Sequence, residues 1–131
     1  MSIVYNESMP RNETMTPPDE LPEPGFYYHY KHDPAGALNN YAYEVFDVGC
    51  ATESDWSKPE AYMVVYRPLY EESPAYRAGK LWFLRPVAMF MGDVPGKDGA
   101  PPLPRFHKIS NPEIIAELTS IKKQMYGGDG V

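Results

Sequence analysis

The sequence predicts a mainly β protein, a small barrel or roll of about five short strands followed by one C-terminal α-helix. Three observations carry that prediction. Short runs rich in tyrosine, phenylalanine and valine recur along the chain, each bounded by glycine, proline or asparagine. That is the punctuation of strands, not of long helices. Tyrosines and arginines sit inside those runs, where a plain core would carry aliphatic residues. Buried tyrosine keeps a partner for its hydroxyl or reaches water, so such runs describe a small core with wet edges and a polar, aromatic face. Finally, a helical apolar period appears late, after Ser110.

The elements follow in order. Residues 1–23 hold Pro10, Pro17, Pro18 and Pro22 and little apolar periodicity, so they read as a disordered acidic leader. Docking of this leader on the fold or a neighbour would run through Ile3, Val4 and Tyr5. Pro24-Gly25 launches a strand from Phe26 to Lys31, with Phe26, Tyr28 and Tyr30 on one face and Tyr27, His29 and Lys31 on the other. A turn-rich loop runs to Asn40. Tyr41 to Val48 is the second strand, ended by Gly49, and a polar connection with Trp56 and Pro59 follows. Tyr62 to Arg67 is the most β-branched strand, and Pro68 stops it because proline cannot donate to a ladder.

After a long loop, Leu81 to Arg85 forms the fourth strand, stopped by Pro86. Val87 to Met91 fits a short helical turn that carries Met89 and Phe90 inward, and Arg105 to Ile109 fits a last strand. Ser110 and Glu113 have capping-box spacing, with Pro112 in the first turn. Ile114, Leu118, Ile121 and Met125 then share one helix face, and Gly127-Gly128 ends the helix. The expected organisation is one domain over residues 24–126, with a flexible tail at 127–131.

Bulk properties exclude several classes. The net charge is −6, and five acidic residues of the leader oppose Arg11 alone, which leaves the rest near balance. A broad basic stripe of the kind nucleic-acid binders carry is missing. Cys50 is the single cysteine, so no intrachain disulfide forms and a reducing compartment is expected. Neither a signal-peptide pattern nor an apolar run of membrane-spanning length is visible. A bacterial-type, cytoplasmic protein without membrane partners is the expectation.

Several pieces form an ordered set: Pro24-Gly25 with Tyr27, His29, Tyr30 and Lys31; Tyr43 and Val45; Thr52-Glu53; Val65-Tyr66-Arg67 with Leu69-Tyr70; Phe83, Arg85, Pro86, Met89 and Phe90; and Pro104-Arg105-Phe106. In this order they resemble the domain-of-unknown-function family 1653, found in short bacterial and phage proteins, over about residues 24–109. The resemblance implies a compact SH3-like β-barrel or roll and no established activity. The chain departs from the family pattern at Ala51, where a histidine is common, and at Phe83, where tryptophan is usual.

The candidate ligand-binding face combines His29, Lys31, Glu53, Arg67, Tyr70, Arg85 and Arg105. Three of its arginines lie at strand ends that closure of a barrel could gather, and guanidinium groups grip carboxylate or phosphate through paired hydrogen bonds. Tyr27, Tyr66 and Tyr70 could stack on a planar ligand. The competing account is an internal ion-pair network with no ligand. His29, His32 and Asp33 do not make a metal set, because His29 and His32 point to opposite sides of a continued strand. No motif makes Cys50 a nucleophile with His29 and Glu53. No cofactor, metal or catalytic residue is expected.

The expected function is a binding module for an anionic or aromatic ligand: a nucleotide, a short single strand or an acidic peptide. A small hydrolase or nucleotide-modifying enzyme using His29 and Glu53 is the alternative, and a scaffold domain the third. Partners are an anionic ligand or nucleic-acid component, with a homodimer left open.

Overall fold

The structure, a computed structural model, describes residues 15–127. Its centre is a five-stranded antiparallel sheet. The strands are β1 (Gly25–His29), β2 (Ala42–Cys50), β3 (Tyr62–Pro68), β4 (Phe83–Pro86) and β7 (Phe106–Lys108), in the order β4-β3-β2-β1-β7. A small hairpin, β5 (Asp93–Val94) with β6 (Leu103–Pro104), stands apart. The helices are α1 (Pro74–Arg77), α2 (Val87–Phe90) and α3 (Pro112–Tyr126). None of them is long and apolar enough to cross a membrane.

Period-two alternation sorts the strands into two faces. One face carries Tyr27, Tyr43, Val45, Tyr62, Val64, Tyr66 and Phe106, packed under Val87 and Phe90 of α2. The other carries Tyr28, Ala42 and Leu69, with Ile109, and is covered by α3 through Leu118. The fully buried Leu118 and the nearly buried Met125 bear out the helical stripe, with Ile114 and Ile121 at its half-buried margin.

The sheet is strongly curled. Neighbouring strands lie about 4.8 Å apart, so a flat sheet would hold β3 and β7 roughly 14 Å from each other. Yet the Tyr66 ring of β3 and the Phe106 ring of β7 have centroids 5.6 Å apart. Curling brings both edges over one aromatic face, although no ladder joins β4 to β7 among the described residues. The bulge at Phe46, where the register with β3 shifts between Val45 and Asp47, helps to bend β2.

Several local expectations shift. β1 stops at His29, because the His32 N–H donates to the His29 carbonyl and turns the chain. The N-cap of α3 is Asn111, not Ser110. Its side chain accepts from the Glu113 and Ile114 N–H groups, with Pro112 at the first helical position.

Part of the expected leader lies on the fold. The Thr16 N–H donates to the Trp56 carbonyl and the Tyr62 hydroxyl, Pro22 is buried, and the Tyr27 hydroxyl donates to the Glu23 carbonyl. The expectation about Ile3, Val4 and Tyr5 falls outside the described residues, as does most of the tail.

Candidate anion-binding site

At the end of the aromatic face where β1 finishes, side chains from five segments meet. His29 is the last residue of β1, and its ring packs on Tyr41 at 5.7 Å, Phe106 at 5.0 Å and Tyr30 at 4.4 Å between centroids. Arg85 enters from β4. Alternation sets it on the same face as Phe83, opposite Val64, and its Nε donates to the Tyr66 hydroxyl at 3.0 Å. Its guanidinium carbon lies 5.8 Å from the Phe106 ring centre. Arg105 immediately precedes β7. Its backbone N–H donates to the Gly92 carbonyl, and its carbonyl accepts from Tyr30.

The electrostatics follow from this crowding. Burial, and then the positive charges of Arg85, Lys31 and Arg105, lower the His29 imidazole from its ordinary 6.5 to about 4. The ring is therefore neutral at physiological pH and sits among three cations. Neither Arg85 nor Arg105 forms an ion pair with a carboxylate among the described residues. The Nε of Arg105 is buried without a hydrogen-bond partner. Buried donors in folded proteins are nearly always satisfied, so this one stands out.

A tyrosine pair walls the other side. The Tyr43 and Tyr70 hydroxyls share a 2.6 Å hydrogen bond, and Tyr41 packs on Tyr70 at 5.8 Å. Burial and the bond to Tyr70 raise the Tyr43 hydroxyl well above its usual range, and burial raises Tyr70 too. Both stay protonated, and since their shared bond uses one hydroxyl proton, one of the pair is left to donate to an acceptor. Tyr41 holds φ of 54°, in the left-handed region. That conformation is strained for a bulky residue and collects at functional sites.

Of the seven sequence-selected residues, His29, Lys31, Tyr70, Arg85 and Arg105 belong to this end of the face. Arg67 does not. It follows Tyr66 directly, so alternation turns it to the opposite face. There it is 2% exposed, with its Nε 3.0 Å from Glu44 Oε1. The Tyr126 and Trp82 rings flank its guanidinium at 3.8 and 4.3 Å. Lys122 of α3 reaches Glu44 Oε2 at 2.6 Å, so this lysine ties the helix to the sheet as well as complementing the helix dipole. Arg67 therefore takes the account given by an internal network, with Glu44 and not Glu53 as its partner.

Glu53 is exposed, in the connection beyond the last residue of β2. His29 lies at the other end of that strand, its N–H bonded to the Tyr41 carbonyl. Nine residues of strand separate the two ends, on the order of 25 Å.

The remaining candidates resolve simply. His32 stacks on Tyr28 at 3.6 Å and bonds the Asn40 carbonyl through Nδ1. No group of three metal-ligating side chains exists among the described residues. Cys50 is exposed. Tyr41 is the main contributor that sequence reasoning missed, because it was assigned to an ordinary strand start and its positive φ has no glycine or asparagine to announce it.

Residues 25–108 match the family described as protein of unknown function (DUF1653). The chain belongs to that family. The DUF1653 region contains all seven strands and every residue gathered at the site, while α3 lies beyond it. Neither the curated proteins nor the solved structures compared give a match.

Proposed function

We propose that this DUF1653 protein is a small binding module for an anionic ligand, with Arg85, Arg105 and Lys31 holding the anion. One observation carries this reading: burial, and then the charges of Arg85, Lys31 and Arg105, keep His29 neutral down to about pH 4, with no carboxylate paired to Arg85 or Arg105 among the described residues. An internal network of the Arg67–Glu44–Lys122 kind supplies its own counter-charge, and this site leaves that part to a ligand. The buried Nε of Arg105 lacks an acceptor, and Arg85 has its other nitrogens to offer. Guanidinium groups favour planar oxyanions such as carboxylate and phosphate. The exposed ring of Tyr41, beside His29 and Tyr70, gives a planar part of the ligand a surface to stack on. A nucleotide, a short single strand or an acidic peptide has that chemistry.

An SH3-like closure of the sheet belongs to the same reading. The approach of Arg85 on β4 to Phe106 on β7 supports it, because one small anion then meets residues from both edges.

The test is a thermal-shift titration with sulfate, phosphate, nucleoside monophosphates and short oligonucleotides. A ligand at about 100 times its dissociation constant adds roughly 2.7 kcal/mol, and Arg85→Ala with Arg105→Ala removes the gain. Stabilisation that persists in the double variant, or none with any anion at millimolar concentration, defeats the proposal.

A further inference from the structure

A second site of opposite charge adjoins the first. A cavity of about 730 Å³ opens between the loop before β2, the segment after β3 and α3. Its lining includes Tyr41, Tyr70, Glu71, Glu72, Ser73 and Gln124. That volume is within the range of small-molecule sites. Tyr41 and Tyr70 stand between the cavity and the cationic site and contribute to both.

The chemistry of the lining selects a ligand class. The Glu71 and Glu72 side chains are exposed and form no ion pair among the described residues, the nearby Arg77 guanidinium donating to the Glu71 backbone carbonyl instead. Metal binding is a poor fit, because no set of three ligating side chains occurs among the described residues. Two tyrosine rings whose centroids lie 5.8 Å apart offer π faces beside those carboxylates. Rings with adjacent negative charge recognise organic ammonium groups, whose diffuse charge needs no tight ligand shell. Independently of the charges, Ser73 is 1% exposed, forms part of the lining, and its hydroxyl has no hydrogen-bond partner. An unmet buried hydroxyl in a cavity wall is uncommon and marks this wall out from an ordinary surface.

We infer that this cavity is a binding site for an organic ammonium group, held by the Glu71 and Glu72 carboxylates against the Tyr41 and Tyr70 rings. Tyr41 serves the site through its placement: its left-handed backbone sets the ring between the two sites.

The probe is tetramethylammonium chloride, titrated into the full chain against sodium chloride at equal ionic strength and followed by amide chemical shifts. Saturable shifts at residues 70–73 and Tyr41 are expected in the millimolar range, the affinity of a small single-charge ligand. Glu71→Gln with Glu72→Gln should weaken binding at least tenfold. Tyr41→Asn should do the same, since asparagine tolerates the left-handed backbone and removes only the ring. Arg85→Ala with Arg105→Ala should not weaken this binding, which separates this site from the anion site. Linear, non-saturating shifts overturn the inference. So does an affinity that survives either the glutamate pair or the Tyr41 substitution.

Discussion

Protonation of His29 is the most direct probe of the site. A free imidazole protonates near 6.5, whereas burial together with Arg85, Lys31 and Arg105 hold this one neutral to about 4. Between those values the unfolded chain takes up a proton that the folded chain refuses. The stability contributed by the neutral ring is therefore complete above pH 6.5 and is lost as pH falls through the window to about 4. Each pH unit corresponds to about 1.4 kcal/mol, so the whole descent costs at most about 3.5 kcal/mol, reduced by solvent screening at a ring that is only half-buried. Neutralising a neighbour should reverse part of this. Arg105→Gln and Arg85→Gln should each raise the His29 value, and a bound phosphate should raise it as well. By reciprocity, phosphate must then bind more tightly as pH falls through the same window. The assay is a two-dimensional NMR titration of the imidazole carbons, with His29→Gln to assign the resonance among the three histidines of the chain. A His29 that titrates near 6.5 in the unliganded protein would refute the argument, as would a value indifferent to both arginine substitutions.

Two further outcomes concern the scaffold. Leu118 is fully buried between α3 and the sheet, and Leu118→Ala should cost about 2–5 kcal/mol in a urea melt; a cost below about 0.5 kcal/mol would show that α3 does not hold the fold together. Glu44→Gln removes the charge shared by Arg67 and Lys122 and should cost about 3 kcal/mol, the low end for breaking a buried pair because the amide oxygen still accepts a hydrogen bond. A loss under about 1 kcal/mol would mean that contacts other than Glu44, the Tyr126 and Trp82 rings among them, suffice to keep Arg67 in place.

Much of the architecture was legible because it rests on local chemistry. Alternation put Tyr27 and His29 on one face and Tyr28 on the other. Prolines stopped β3 and β4 where Pro68 and Pro86 stand. The spacing of Leu118 and Met125 identified the buried stripe of α3. Arg67 was misassigned for an avoidable reason. Grouping it with Arg85 by strand-end position ignored the parity that separates it from Tyr66. Glu44 was overlooked because its partners, Arg67 and Lys122, lie on β3 and α3, and no local pattern links them. The site itself depends on the curl of the sheet, which brings β4 over β7. Strand propensities say nothing of that distance. Tyr41 was illegible for a backbone reason: a tyrosine at positive φ follows from the packing around it and not from its own preference.

The pairing of β1 with β7 has a consequence for how the molecule is made. Tyr28 pairs with His107, across almost the whole length of the sheet's sequence, while β2, β3 and β4 are joined to their neighbours by consecutive connections. During synthesis β1, β2, β3 and β4 can assemble as a meander as they emerge, but β1 remains an open edge until Phe106–Lys108 arrives. Such distant pairings slow folding, because the loop must close before the contact rewards it. Until then the rim of the aromatic face lacks Phe106, and Tyr28 waits for the helix that covers it. The proposed anion site, which needs Arg105 beside His29, is thus among the last features to form, because β7 must first pair with β1.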